Sequence, residues 1–442
     1  MSIKEKFLTS RAERMAYGGF FVGQNIIFIF VLQYLTMFYT DIVGLAPAAV
    51  GTLFLVARVW DAVNDPILGA IVDRSNFKSG KFKPWINAVI VLMPIATIAV
   101  FWNVGGGSTS NLVYAYITYI LWGMIYTISD VPIFAIATVM TDNIDERVSL
   151  ISIGRFAAGI AALIAAALGA PIIEALGWTT ATIVLMVIAF AVMLPVRFLV
   201  RERIVYERKE TVNLKSMIQA ISSNKYLMIF YLAFIIMGSL NTSSVAGIYF
   251  ATYNLGSLEL FMIISFIGMS PMLVIPVILP ALVRKFGKKN IYMTAVILGI
   301  VTCVAQYFIG YENFALFLVL SAIKGIGLMI PGTMMGLFSA DCVEYGAYVT
   351  GRRNEGITFS VQTFSVKLGT AFAGFFGTVL LGYYGYVPNV QQSERALDGL
   401  WKMMTIYPAV GLIIAVIIVG LFYKLKESDV RRMIEEMKVK NA

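Results

Sequence analysis

Apolar runs of about 20 residues recur along almost the whole of this 442-residue chain, separated by short segments rich in charge or turn-forming residues. A run of that length crosses the hydrocarbon core of a bilayer as one α-helix. Helices and closed β-barrels are the only structures that pair every backbone polar group inside a membrane. With 59% hydrophobic and 13% charged residues, the chain is predicted to be an all-α, multi-pass integral membrane protein.

The runs predict twelve transmembrane helices. The widest charged gap, 201–224, is a central loop that separates six helices in 1–200 from six helices in 225–424, and 425–442 forms a tail. Of the 34 Lys and Arg residues, 28 flank the termini, the central loop and alternate short loops, so we expect both termini to be cytoplasmic in the cell (inner or plasma) membrane. The predicted helices are 16–39, 48–73, 84–104, 111–141, 148–172, 178–200, 225–252, 258–283, 289–310, 314–342, 356–384 and 400–424.

The remaining composition argues against several classes of function. The net charge of +9 is spread over short loops, so it indicates topology and predicts no nucleic-acid partner. Cys303 and Cys342 lie in apolar segments and there is no histidine, which argues against a disulfide framework, a His/Cys metal site and an enzyme with a catalytic histidine. Residues 1–10 lack an apolar stretch before a cleavage site, so no cleavable signal peptide is expected.

Two aspartates, Asp61 and Asp65, lie inside the predicted helix 48–73. Their i,i+4 spacing puts both carboxylates on one face, and exposing that face to lipid would cost about 2.5–3.5 kcal/mol for each carboxylate. The face must therefore point inward, which favours a cation site. The alternative is a buried ion-pair network with Arg58, three residues before Asp61, and with Lys367, and the network can coexist with the ion site.

Several segments carry a family resemblance. A small or turn-forming residue, a basic pair and a Gly-Lys element recur in 69–84 and 280–290, and the GxxxDR in the first resembles the loop signature of the major facilitator superfamily. A longer series of segments resembles the glycoside-pentoside-hexuronide cation symporters, of the melibiose permease type. That series comprises FYTDIVGLAPAAVGTLFLVARVWDAVNDPILGAIVDR (38–74), GKFKPW (80–85), YILWGMIYTISDVP (119–132), IGRFAAG around Arg155, DCVEYG (341–346) and SVQTFSVKLG (360–369).

The resemblance implies two six-helix bundles that import a sugar or glycoside by alternating access, driven by a gradient of Na⁺, Li⁺ or H⁺. It also implies that Asp61, Asp65 and the Thr127 hydroxyl bind the cation, as metal ligands if the ion is Na⁺, and hard monovalent cations do need oxygen donors. If the ion is H⁺, one of the two carboxylates carries it. Lys367 matches a family lysine that reaches the second helix, so Lys367 and Arg58 are the expected coupling residues.

The sugar site implied by the resemblance centres on Asp130, with Arg155 as its neighbouring arginine. Tyr126 is four residues before Asp130 and shares its helix face. A carboxylate can accept from two hydroxyls while an arginine fork orients it. A structural Asp130–Arg155 salt bridge is the alternative. Further sugar-binding candidates are Gln24, Asn25, Phe134, Gln362 and Thr363.

The chain also departs from the family pattern. Gln24 and Asn25 stand where the melibiose permease type has a lysine and a second sugar-binding aspartate, and Phe134 replaces a tryptophan. A galactoside clamp with two acids is therefore not expected. Lys324, at membrane depth, would suit an anionic hexuronide or a pentoside, although it could equally be a packing or gating residue.

The expected partners are a small-molecule sugar, a monovalent cation and the lipid bilayer. No cofactor is expected apart from the coupling Na⁺ or H⁺, and the protein is expected to function as a monomer. A carrier of a non-sugar solute, such as a lysolipid, on the same fold stays an alternative. The tail 425–442 is too short for a signalling domain, which argues against a sugar sensor.

Overall fold

The computed structural model describes residues 8–75, 77, 80–141, 143–204, 222, 224–350 and 355–440. Within these ranges the chain is helical, and the one β-type pairing is an isolated bridge between Phe77 and Gly80. The helices are α1 (Arg11–Met37, continued by the π-helical Phe38–Ile42), α2 (Pro47–Arg74), α3 (Lys83–Val100), α4 (Ser108–Met140), α5 (Ile144–Leu176), α6 (Trp178–Met193 and Pro195–Leu199), α7 (Lys225–Ser239, Ser243–Tyr249 and the π-helical Phe250–Asn254), α8 (Leu260–Met269 and Pro271–Phe286), α9 (Lys288–Ile309), α10 (Phe314–Thr350), α11 (Glu355–Tyr383), α12 (Glu394–Phe422) and α13 (Glu427–Lys440).

Among the described residues, eleven helices are long and apolar enough to cross a membrane. The one helix of α1–α12 outside this set is α2, whose 28 residues suffice in length but include Arg58, Asp61 and Asp65. Most predicted bounds lie within four residues of the observed ones, but α1 begins at Arg11 instead of 16, α10 continues past 342 to Thr350, and α12 begins at Glu394 instead of 400. The all-helical multi-pass architecture is confirmed, whereas the count of twelve spans stays a prediction.

The chain divides into two compact units. The first comprises Met1–Thr211 with Leu258–Met262, and the second Val212–Ser257 with Ile263–Ala442. In the first unit α1 packs on α5 and α6, while α4 packs on α2 and α3. In the second unit α9 packs on α10 and α12, and α7 packs on α11 and α12. Both interiors are apolar and aromatic, and some of their buried polar groups bond to a neighbouring helix, as Thr127 does to Asp65 and Lys324 to the Met404 carbonyl.

The two units repeat the ending of their first helix. The π-helical segments Phe38–Ile42 and Phe250–Asn254 each lead to a glycine with positive φ, Gly44 at 76° and Gly256 at 77°. A glycine adopts this left-handed conformation without a steric penalty. The backbone closes in the same way in both segments, because Leu45 donates to the Tyr39 carbonyl and Ser257 to the Ala251 carbonyl. The two halves therefore resemble each other in local structure as well as in sequence.

The Gly-Lys loops that echo each other in sequence also share an anchor. In the first unit the Glu202 carboxylate accepts from the backbone N–H groups at Lys81, Phe82 and Lys83, at 2.6–2.8 Å, where α3 begins. In the second unit Glu427 accepts from the Lys288 N–H at 2.8 Å, where α9 begins. A carboxylate at a helix N-terminus pairs otherwise unsatisfied N–H groups and interacts favourably with the helix dipole.

A third carboxylate, Glu146, holds the segment before α1. It is fully buried, and it accepts from the Thr9 N–H at 2.8 Å, the Leu8 N–H at 3.1 Å and the Thr141 hydroxyl at 2.6 Å. It lies on α5 before the apolar span that begins at Ser149. Burial raises the pKa of Glu146, but the hydrogen bonds from Thr141, Thr9 and Leu8 together outweigh burial, so its pKa lies below the ordinary value of 4.5.

Glu146 should make the stability of the fold depend on pH. Because its pKa is lowered in the folded state, its contribution is fully present well above pH 4.5 and is lost as the pH falls through the lower folded-state value. We expect Glu146→Gln to lower the melting temperature at neutral pH and to flatten its fall between roughly pH 5 and pH 3. Thermal unfolding in detergent measures this, with the exposed Glu174→Gln as control. An unchanged slope would contradict the assignment.

The crossing of α9 and α10 depends on two glycines. A methyl group on Gly327 would lie 2.5 Å from the Gly299 Cα, which is backbone and cannot yield without separating the helices. Gly336, which is about two and a half turns further along α10, has nothing within 4 Å of such a methyl. Small residues at such crossings let helices in membranes approach closely.

We expect Gly327→Ala to destabilise the second unit by about 1–3 kcal/mol through overpacking. Gly336→Ala should be neutral or stabilising, because alanine is favoured over glycine in a helix by about 1 kcal/mol. Melting temperatures of the two purified variants compare them directly. Equal effects of the two substitutions would show that the crossing does not require Gly327.

Candidate functional site

The α2 and α4 helices lie side by side and run in the same direction. Three contacts show this, because each joins residues 61 or 62 positions apart. The Arg58 guanidinium donates to the Tyr119 phenol at 3.2 Å. An Asp61 carboxylate oxygen lies 3.2 Å from the position of a methyl group on Gly123. The Thr127 hydroxyl donates to the Asp65 carboxylate at 2.7 Å.

The predicted pairing of Arg58 with Asp61 is present. The Arg58 Nη1 donates to Asp61 Oδ2 at 2.6 Å, and their side chains are only 18% and 7% exposed. Asp65 is half-buried one turn further along α2. When ionised, these three groups carry two negative charges and one positive charge. Two carboxylates one turn apart, largely removed from the surface, are groups that a monovalent cation or a proton can bind.

Thr127 and Asn64 can add oxygen ligands to the two carboxylates. Thr127 donates its proton to Asp65 Oδ1, so the lone pairs of its hydroxyl oxygen stay available to a cation. The sequence interpretation missed Asn64, which is 4% exposed and whose Nδ2 has no hydrogen-bond partner in the described structure. The sequence did indicate this residue, because Asn64 is three residues from Asp61 and shares its helix face. An amide that is not held by a partner can turn its oxygen toward a cation.

The α1 and α4 helices pack in opposite directions through a second series of contacts. Phe28 stacks on Tyr126 with ring centroids 5.0 Å apart, and Phe21 meets Phe134 edge to face at 5.1 Å. Between these aromatic pairs Gln24 contacts Asp130. The arrangement sets a carboxylate between two pairs of aromatic rings. Sugar sites combine these elements, because aromatic faces cover the ring carbons while a carboxylate accepts from hydroxyls.

Gln24 of α1 is buried against Asp130 of α4. Gln24 is 1% exposed, and its Nε2 donates to the Ser129 hydroxyl at 2.7 Å and to Asp130 Oδ1 at 3.3 Å. Its amide N–H groups are therefore directed at α4, and it orients Asp130. Asn25 is half-buried and donates to the Phe21 carbonyl of its own helix at 2.9 Å.

Arg155 lies on α5 with an exposed side chain. The preceding Gly154 brings α5 against α1, because a methyl group there would lie 2.7 Å from the Phe21 ring. The Arg155 side chain is accessible on α5. Its predicted place in the sugar site and the alternative of a structural salt bridge to Asp130 both stay predictions.

The remaining predicted residues lie on α11, in the second unit. Gln362 is half-buried and accepts from the Ser339 hydroxyl of α10 at 2.9 Å, and Ser339 also bonds to Tyr231 of α7. Thr363 is exposed and Lys367 is half-buried. Their predicted roles in sugar binding and coupling stay predictions.

Comparisons with known proteins agree with this architecture. A family model described as MFS/sugar transport protein matches residues 16–427. The chain is 32% identical over 440 residues to the uncharacterized symporter YnaJ of Bacillus subtilis (strain 168), covering 97% of this chain and 95% of that protein. It is 29% identical over 456 residues to the isoprimeverose transporter of Lactiplantibacillus pentosus, covering 100% and 94%. The crystal structure of the nucleoside transporter NupG has a TM-score of 0.69 at 12% identity, over 94% of this chain and 100% of that chain, which shows the fold alone.

The contacts of Gln24 predict a difference between two neighbouring amides. Gln24→Leu removes a buried bridge between α1 and α4 and leaves Asp130 with one donor fewer, so we expect it to destabilise the protein by about 1–3 kcal/mol. Asn25→Leu removes a bond within one helix and should cost less. Melting temperatures of the two variants test this, and an equal or larger loss for Asn25→Leu would contradict the proposed role of Gln24.

Proposed function

Because this chain belongs to the family of MFS/sugar transport proteins, within the glycoside-pentoside-hexuronide group, we propose that it carries a sugar or glycoside into the cell together with Na⁺ or H⁺. It is a multi-pass cell-membrane transporter and not an enzyme. The proposed cycle is alternating access, in which the two six-helix halves open the site to either side of the membrane in turn.

The observation that carries the coupling proposal is the set of carboxylates and a hydroxyl where α2 meets α4. Asp61 and Asp65 lie one turn apart on α2, and the Thr127 hydroxyl of α4 donates to Asp65 at 2.7 Å. Buried charge in a membrane protein is costly and marks ion pathways or binding sites. Na⁺ is proposed to bind here, with oxygens from Asp61, Asp65, Thr127 and Asn64 as ligands. If H⁺ is the coupling ion, one of the two carboxylates carries the proton instead.

Coupling requires that the cation and the sugar favour the same conformations. Helix α4 connects the two sites, because Thr127 contacts Asp65 and Asp130 follows it by three residues. A cation that draws Asp65 and Thr127 together would therefore also set the position of Asp130. Lys367 is proposed to compete with the cation for the same negative charge.

The sugar site proposed here has one acid. Asp130 accepts from hydroxyls, the exposed Arg155 guanidinium donates, and Tyr126 and Phe134 cover the ring face. Gln24 and Asn25 add no charge. The selectivity is thus proposed to lie with glycosides and pentosides, and the similarity to an isoprimeverose transporter supports that class.

The test is transport into proteoliposomes. We expect Asp61→Asn and Asp65→Asn to reduce gradient-driven accumulation by about tenfold or more, since each removes a charge that the ion neutralises. Equilibrium counterflow, which needs no gradient, should be retained. Applying a Na⁺ gradient alone and a pH gradient alone to the unaltered protein identifies the ion. Asp130→Asn should abolish both transport modes, because it removes the acceptor for sugar hydroxyls.

Matched controls accompany each variant. Thr127→Ser keeps the hydroxyl and should retain coupling, whereas Thr127→Val should lose it. Glu174→Gln removes an exposed carboxylate from α5 and should leave transport unchanged. Normal gradient-driven accumulation by the α2 variants would overturn the coupling assignment. A substrate panel in which a lysolipid is carried and glycosides are not would overturn the sugar assignment.

A further inference from the structure

The α12 helix contains a proline at a fully packed position. Pro408 lies inside Glu394–Phe422 and has no backbone N–H, so the carbonyl four residues earlier, at Met404, cannot make its usual helical hydrogen bond. Met404 is only 4% exposed. A buried carbonyl needs a partner from elsewhere in the protein.

Lys324 of α10 supplies that partner. Its Nζ donates to the Met404 carbonyl at 3.0 Å, and Lys324 is 6% exposed. Cys303 of α9 lies close to it, and one turn away Gln306 donates to Ser321 at 3.0 Å, so the surroundings are polar but neutral. Within the described residues Lys324 makes no ion pair with an acid. The ammonium group thus stands in for the amide N–H that Pro408 lacks.

The same stretch of α12 meets the break in α7. Helix α7 is interrupted between Ser239 and Ser243, and there the Thr242 hydroxyl donates to the Met403 carbonyl at 2.7 Å. Gly411 lets the helices touch, because a methyl group on it would lie 2.9 Å from the Leu240 Cβ. The break in α7 at Leu240–Thr242 and the segment Met403–Pro408 of α12, where one helical hydrogen bond is missing, therefore pack together. We call this pair the hinge.

We propose that Lys324 is a positioning residue that holds the hinge by replacing the hydrogen bond lost at Pro408. Irregular backbone at membrane depth is tolerated only where other groups in the protein satisfy it. Lys324 does so at the Met404 carbonyl, Thr242 adds a hydrogen bond at the preceding carbonyl, and Lys324 is covered by the protein rather than presented to a solute. Its hydrogen bond therefore holds α12 at Pro408, and its ammonium group does not select an anionic sugar. The transport readout below rests on the proposed function, whereas the stability readout does not.

The experiment is a double-mutant cycle of Lys324→Met and Pro408→Ala, with melting temperature and transport kinetics measured for each single variant and for the pair. Lys324→Met alone should lower the melting temperature and reduce the maximal transport rate at least threefold, with less than a twofold change in KM. Pro408→Ala restores an N–H that can bond to Met404. In that background, adding Lys324→Met should have little effect or should stabilise.

Additive losses in the cycle would overturn the proposal, and so would a Lys324→Met variant that folds normally but loses affinity for uronides only. If Lys324→Met does not fold, Lys324→Arg, which keeps the donors, should fold, and failure of the pair with Pro408→Ala to rescue folding would count against the proposal. Lys402→Met is the control, because Lys402 lies on α12, has a partly exposed side chain and pairs with Asp398. If no variant or unaltered protein transports sugar, the proposed function fails while the stability cycle still decides the role of Lys324.

Discussion

The cost of burying charge on α2 governs the arrangement of the first unit. Exposing Arg58, Asp61 or Asp65 to lipid would cost free energy. In the structure α2 lies parallel to α4, and there the Tyr119 phenol, Gly123 and the Thr127 hydroxyl contact these three residues in order. Next to the row of α4 residues that meets α2, a second row that includes Tyr126, Asp130 and Phe134 packs on α1. The sites proposed for the cation and the sugar therefore lie on neighbouring rows of one helix.

The second unit solves a related problem with different groups. It repeats the π-helical ending of its first helix and the carboxylate cap on its third, which shows that both halves use the same design. In its interior, however, side chains donate hydrogen bonds to backbone carbonyls near a proline, whereas in the first unit polar groups contact two carboxylates. Lys324 and Thr242 bond to carbonyls of α12 beside a proline. The division suggests that ion chemistry belongs to the first half and a hinge to the second.

Much of the helical architecture could be predicted, because each span is a continuous apolar run whose length is set by the bilayer. The inward direction of Asp61 and Asp65 followed from the same physics. The roles of individual polar residues were harder. Gln24 was a sugar-binding candidate and its amide donates to Ser129 and Asp130, while Asn64 was overlooked although it lies between the two aspartates in the sequence. Pattern matching assigns a residue to a site without saying which way its side chain turns.

The amino-acid sequence by itself determined an all-helical membrane protein and the family to which it belongs, since hydropathy and local spacing act within single helices. The tertiary structure alone decided that Gln24 donates to Asp130, that α2 runs parallel to α4, and that Lys324 donates to the carbonyl left by Pro408. These are contacts between helices far apart in the chain. Their geometry depends on crossing angle and register, which arise from the packing of all the helices in a unit together.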